Sequence, residues 1–304
     1  AEATLRALEC ECRMMRALAS REDGVTAPRV LESLSGRIIE RFHEKFLRLI
    51  DFVEDAPLSS LRRPLRSLKT SEKIGAALAR SACKLSRVRG EDRPLAWDLR
   101  NASASLLPYV DDPDKRELVE RAFSNFRKVD FDTLPHVQLI HGDSNDENIF
   151  FRDDMITLID FGDFLVAPRV VDLAISMAYL LFGDDDRWLD EACVVLAAYN
   201  RVSPLTALEI ESLFPLIAAR NCQTVLNAAH RSSLDPSDDY VTISAQPAWN
   251  LLKAIDACPL HTINQTLKRA CGLPLDDHQQ QPPPVDEITP SLPPPSLPEK
   301  KKNK

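Results

Sequence analysis

The stretch LIHGDSNDENIFFRDDMITLIDFGDF, Leu139 to Phe164, sets carboxylates and amides between short apolar runs. Like charges repel, so the crowding implies that something positive sits among them. Asp143 follows an apolar run and a glycine. Asn148 stands five residues later, and Asp160 comes twelve residues after that, at the end of a second apolar run. Phosphoryl transfer spreads negative charge over oxygens, and Mg2+ neutralises it through hard oxygen ligands. Asn148 offers an amide oxygen and Asp160 a carboxylate, which makes them the candidate Mg2+ ligands. Asp143 is then free to orient a hydroxyl and take its proton as general base. The bland alternative is an acidic turn whose side chains bond their own backbone. Such a turn does not require the flanking runs to end in IHGD and IDFGD. His141 reads as a hydrogen-bonding support of the loop rather than an acid or base.

These residues need elements to position them. VQLIHGD and MITLIDF read as two strands joined by the acidic loop. Residues 1–20 carry an amphipathic stripe at helical spacing, and VVDLAISMAYLLF, residues 170–182, is an almost wholly apolar helix that must be buried. TAPRVLES and GRIIERFHEKFLRLIDFV read as short strands around a turn at Gly36. SLKTSEKIGAALARSACKLSRV, WDLRNASASLLPYV and DKRELVERAFSNFRKV read as helices, with more helices to about residue 270. The end, HQQQPPPVDEITPSLPPPSLPEKKKNK, cannot bury enough apolar surface to order itself. It is read as a disordered Pro-rich tail whose P-x-x-P spacing would suit an SH3- or WW-type domain, with a plain solvated extension preferred.

The bulk numbers fit. The chain of 304 residues is 44% hydrophobic, enough for one large domain or two smaller ones. A net charge of -8 argues against nucleic acid or an anionic membrane as partner, and no apolar run is long enough to span a bilayer. Seven scattered cysteines without metal-site spacing point to reduced thiols and a cytoplasmic location.

HGDSNDEN, IDFGD and VVDLA together resemble the aminoglycoside phosphotransferase/choline kinase superfamily, and the stretches around them are closest to its hydroxylysine kinase subgroup. The resemblance implies a protein-kinase-like bilobal α+β fold. Residues 1–57 would be the remnant of the N-terminal nucleotide-binding lobe and hinge, 58–276 the helical C-terminal catalytic lobe, and 277–304 the tail. It implies Asp143 as base, Asn148 and Asp160 as metal ligands, and Asp172 as brace of the catalytic loop. Asp172 could also be a helix N-cap, a role that can coexist with bracing. Glu11, with Glu9 as rival, would pair with a phosphate-gripping lysine, and backbone groups near Phe52, Val53 and Glu54 would meet the purine. That lysine and its Gly-rich loop are missing: the first lysine is Lys45 and the first glycine Gly24. A truncated N-terminal lobe is the expected reason.

The expected reaction is Mg2+-dependent transfer from GTP or ATP to a hydroxyl of a small amino alcohol, foremost 5-hydroxy-L-lysine. Asp163 would hold its ammonium groups, the other acidic candidate, the run Asp184–Asp186, reading rather as a solvated loop, and Arg220 or Arg231 would hold its carboxylate. Arg220 could instead be a structural ion pair. The rivals are another acceptor of aminoglycoside, choline or homoserine type, and an inactive kinase-like binding protein.

Overall fold

A computed structural model describes residues 2–20, 23–61, 66–152, 154–183, 186–235 and 243–275. Asp184, Asp185 and the tail from 277 onward lie outside them. The chain opens with α1 (Glu2–Leu18), then the short strands β1 (Val25–Thr26), β2 (Val30–Leu31), β3 (Glu40–Phe42), β4 (Lys45–Leu47), β5 (Leu49–Ile50) and β6 (Ala56–Pro57). Helices α2 (Leu68–Leu85) and α3 (Pro113–Phe126) follow. Next come β7 (Val137–Ile140), β8 (Ile149–Arg152), β9 (Met155–Leu158) and β10 (Leu165–Pro168). The rest is helical: α4 (Arg169–Leu180), α5 (Trp188–Val202), α6 (Ala207–Leu234), α7 (Ala245–Asp256) and α8 (Leu260–Ala270). Residues 1–274 form one compact unit.

The helices pack by their apolar faces, each fully buried Leu, Ile or Phe contributing about 1.5–3 kcal/mol. α4 is buried nearly all round, as its sequence requires, and lies against α6. α2 and α5 approach closely because Gly75 has no side chain; a Cβ there would lie 2.2 Å from the Val195 carbonyl oxygen. Gly36 sits at a turn with φ +76°, bonded back to Ser33, as its position between strand-like runs predicts.

Two expectations are corrected. The acidic loop does not join a strand pair 137–143 and 155–161. Ile149–Arg152 is itself a strand and makes a tight hairpin with β9, Ile149 opposite Leu158. β7 instead pairs antiparallel with β10, Ile140 opposite Leu165. IFFR is too short and too close to charge to stand out as a strand. It forms because β9 on one side and β6 on the other both pair with it. Residues 97–110, whose spacing predicts a helix, do not form one. They hold two 3-10 turns, Leu99–Asn101 and Leu107–Tyr109. Asp98 accepts the Arg100 N–H at 2.9 Å, and Pro108 lacks the N–H that a continuing helix needs.

Candidate active site

The β7–β8 connection is held in one shape by a dense set of hydrogen bonds. His141 is fully buried. Its Nε2 donates to the Ile159 carbonyl at 2.9 Å, and its Nδ1 accepts the Asp143 N–H at 3.3 Å. Both ring nitrogens are thereby spent on backbone, with the proton on Nε2, so His141 supports the loop and is not placed to shuttle a proton. Gly142 has φ +83°, and a Cβ there would lie 2.0 Å from the Asp163 carbonyl oxygen. Only glycine satisfies both conditions.

Beneath the loop, Asp172 in the first turn of α4 accepts the backbone N–H groups of His141 at 3.2 Å and Gly142 at 3.0 Å. The Ser144 hydroxyl donates to it as well, at 3.3 Å. Pro168, not Asp172, occupies the N-cap of α4, so the capping alternative does not hold. Burial pushes the Asp172 carboxyl above its ordinary value, while the neighbouring His141, the two backbone N–H groups and the Ser144 hydroxyl work the other way.

Three side chains donate to the Asp143 carboxylate. Its Oδ2 accepts from Asn145 Nδ2 at 3.0 Å and Asn148 Nδ2 at 3.3 Å. Its Oδ1 accepts from Arg220 Nη2 at 2.5 Å. A carboxylate has about four acceptor directions, so one remains on Oδ1 for an incoming hydroxyl. Asn145 also shapes the loop, its Oδ1 taking the N–H groups of Glu147 and Asn148 at 2.9 and 3.0 Å.

The β8–β9 hairpin brings Asn148 and Asp160 to its open end, for Ile159 N donates to Asn148 O at 3.1 Å. Asn148 Nδ2 also donates to the Asp143 carbonyl at 2.9 Å. With the amine side of the amide so occupied, its oxygen is left for another partner. Asp160 is exposed, in the left-handed region at φ 54°, and among the described residues accepts only the Gly162 N–H. One amide oxygen and one carboxylate match a Mg2+ that keeps waters and takes phosphate oxygens for its other positions. The charge balance agrees. Burial first, then the charges of Asp143 and Asp160, push the half-buried Asp163 carboxyl above its ordinary value, against Arg93 and Arg220. These residues fit a divalent cation.

α1 packs on the Phe161–Asp163 turn. Of its two candidate glutamates, Glu11 is buried and Glu9 is partly exposed. Glu11 Oε2 lies 2.6 Å from Arg48 Nη1, so its partner here is an arginine and not a lysine. That contact meets the distance of an ion pair, but the N–H is not aimed for a hydrogen bond. Phe52, Val53 and Glu54 form the connection between β5 and β6. They line a cleft of about 250 Å³ with Thr26, Arg152 and Thr157, and Phe52 is 89% exposed.

Arg220 lies buried beside Asp143, under the faces of Trp97 and Tyr179, with Cζ 5.1 and 5.6 Å from the ring centroids. The segment carrying Trp97 is tied to β10 and its approach: Arg93 Nε donates to the Phe164 carbonyl and Arg100 Nη1 to that of Val166. Arg231 is exposed near the end of α6, and Asp186 is exposed too. The sequence marks Arg220 as a charge in an apolar helix but gives no sign that it meets Asp143. Asn145, Ser144 and Arg93 carry no sequence signal at all.

The family model described as phosphotransferase enzyme family matches residues 1–205. The hydroxylysine kinase of Mus musculus is 24% identical over 229 residues, covering 69% of this chain and 60% of that protein. That of Bos taurus is 29% identical over 185 residues, covering 56% and 48%. The chain thus spans about half to three-fifths of the length of these curated relatives. Among solved structures, an amicoumacin kinase in complex with AMP-PNP and Ca2+ superposes with TM-score 0.60 at 13% identity, over 84% of this chain and 79% of that one. A microcompartment-associated aminopropanol kinase gives 0.57 at 18%, over 89% and 84%. These likenesses establish the architecture as a protein-kinase-like, bilobal α+β fold.

Proposed function

As the chain belongs to the phosphotransferase enzyme family, we propose that it transfers the terminal phosphoryl group of GTP or ATP to a hydroxyl of a small amino alcohol, foremost 5-hydroxy-L-lysine. The observation that carries this is the shared loop end: Asp143 with one open acceptor direction, next to Asn148 and Asp160 at the mouth of one hairpin. Asp143 orients the acceptor hydroxyl and takes its proton as the oxygen attacks. Asn148 and Asp160 would hold Mg2+, which neutralises the charge of the phosphate oxygens. Asp172 and His141 keep the loop in register, and Glu11 steadies a cation from α1. The 52–54 connection meets the purine through backbone groups. Hydroxylysine is favoured over other acceptors because the relatives in mouse and cattle bear that activity in their names. The test is a panel of amino alcohols with each nucleotide, reading nucleoside diphosphate release. Release with hydroxylysine foremost supports the full reading, and release with another alcohol keeps the kinase and changes the acceptor.

One observation favours a second reading, a binding protein without turnover. Glu11 is engaged by Arg48 where a kinase would place lysine. Nucleotide binding without diphosphate release from any acceptor would select it.

A further inference from the structure

Arg220 is 3% exposed, yet among the described residues only Nη2 of its three guanidinium nitrogens has an acceptor. Nε and Nη1 are buried with none. The flanking rings of Trp97 and Tyr179 attract its charge and the Tyr179 hydroxyl adds to that hold, yet neither side chain gives Nε or Nη1 a well-aimed acceptor. Buried N–H groups left open are costly, and more so on a charged group. A guanidinium only donates, so the missing partner is an acceptor, and an anionic one, as in a carboxylate, serves a buried full charge best. Asp143 already serves Nη2, and the hydroxyl to be phosphorylated must lie against Asp143. The anion therefore sits on the same small molecule as that hydroxyl.

We infer that Arg220 reads the carboxylate of the acceptor, so that the substrates are hydroxy-amino acids and not amino alcohols that carry positive charge alone. The inference rests on the kinase reading above. It gives the acidic cluster a counterpart: Asp163, half-buried beside Asp143, suits the ammonium end of the same zwitterion. An aminoglycoside or a choline would bring further positive charge to a buried guanidinium and leave its N–H groups open. The open nitrogens are shielded from solvent here. Of the two rings that cover them, Trp97 is 37% exposed and Tyr179 only 9%, so entry of the carboxylate turns the Trp97 ring aside. The other tryptophans, Trp188 and Trp249, are 8% exposed each, which makes Trp97 the natural reporter.

The test compares 5-hydroxy-L-lysine with its carboxamide, which keeps both amines and the hydroxyl. Diphosphate release and tryptophan fluorescence are read on the whole protein with Mg2+ and nucleotide. The expected result is a kcat/KM roughly 10- to 100-fold lower for the amide, a preference that Arg220→Gln reduces to within about twofold. Arg220→Lys should keep part of it, which guards against a folding defect in the glutamine variant. The acid should change the fluorescence and the amide should not, and Trp97→Phe should remove that change while the preference persists. Equal turnover of acid and amide would overturn the inference and leave the kinase reading standing. So would an Arg220→Gln that slows both acceptors alike, since Arg220 would then act on Asp143 alone. Absence of release from both would sink the two together.

Discussion

Asp143 holds three side-chain N–H groups, and their direction matters as much as their number. Asn145 and Asn148 fix Oδ2 and Arg220 fixes one side of Oδ1, so the open lone pair has one orientation. Asp143→Asn keeps the shape and removes the basic oxygen. It should lower kcat by roughly 10²- to 10⁴-fold, the usual worth of a general base, with nucleotide affinity little changed. Parallel loss of affinity in a binding titration would contradict the role. Gly142→Ala tests the loop itself. A methyl 2.0 Å from the Asp163 carbonyl, at φ +83°, must displace either the loop or the turn after Asp160. The expected cost is about 1–3 kcal/mol, together with loss of turnover; an unchanged melting temperature would show that the loop yields freely. At this scale the sequence is most legible where chemistry dictates type and spacing together, as for Asp143, Asn148 and Asp160. Arg220 is 77 positions from Asp143, and no local pattern records a meeting made by helix packing.

The elements bring that meeting about. Arg169, at the start of α4, donates from Nε to Glu209 Oε1 at 2.7 Å and from Nη2 to Glu209 Oε2 at 3.1 Å, near the start of α6. The ion pair sets the register of the two helices. About three turns on, the same face of α6 presents Arg220 to the loop that α4 braces through Asp172. Burial works to raise the Glu209 carboxyl, but Arg169, the Thr206 N–H and the charge of His136 outweigh it and hold it below the ordinary glutamate value. A lowered folded value means stability that is fully present above the unfolded value, about 4.3, and lost as pH falls through the folded one. Glu209→Gln leaves Arg169 buried without its counter-charge, at roughly 3 kcal/mol near neutrality. The gap between the two proteins should narrow as urea melts are repeated at lower pH. A gap constant from pH 7 to pH 3 would show that the pair contributes through shape and not charge. Elements are legible in the sequence where period and length agree, as in α1 and α4. IFFR and LVAP are not, because such short strands exist through their partners. The 97–110 stretch misleads because its apolar spacing is helical while Asp98 and Pro108 act locally against a helix.

For the molecule as a whole, the site links folding to ligand. Asp143, Asn148 and Asp160 lie within the one compact unit of residues 1–274, so occupancy should raise a single melting transition and not one of several. A ligand at 100 times its dissociation constant adds about 2.7 kcal/mol to the folded state, which for a domain of this size is a rise of several degrees. The rise should need Mg2+ and nucleotide together, because Asn148 and Asp160 offer only two oxygen ligands and the phosphates must supply others. Asp160→Ala should remove most of it while leaving the melt of the free protein nearly unchanged, since among the described residues the exposed Asp160 side chain accepts only the Gly162 N–H. Asp143→Asn should keep the rise, for its task begins after binding. The same scan run with GTP and with ATP ranks the donors by the shift each gives at equal concentration. A rise of equal size with nucleotide alone, or one that survives Asp160→Ala, would show that the metal is held elsewhere, and the assignment of the hairpin mouth as its site would fall.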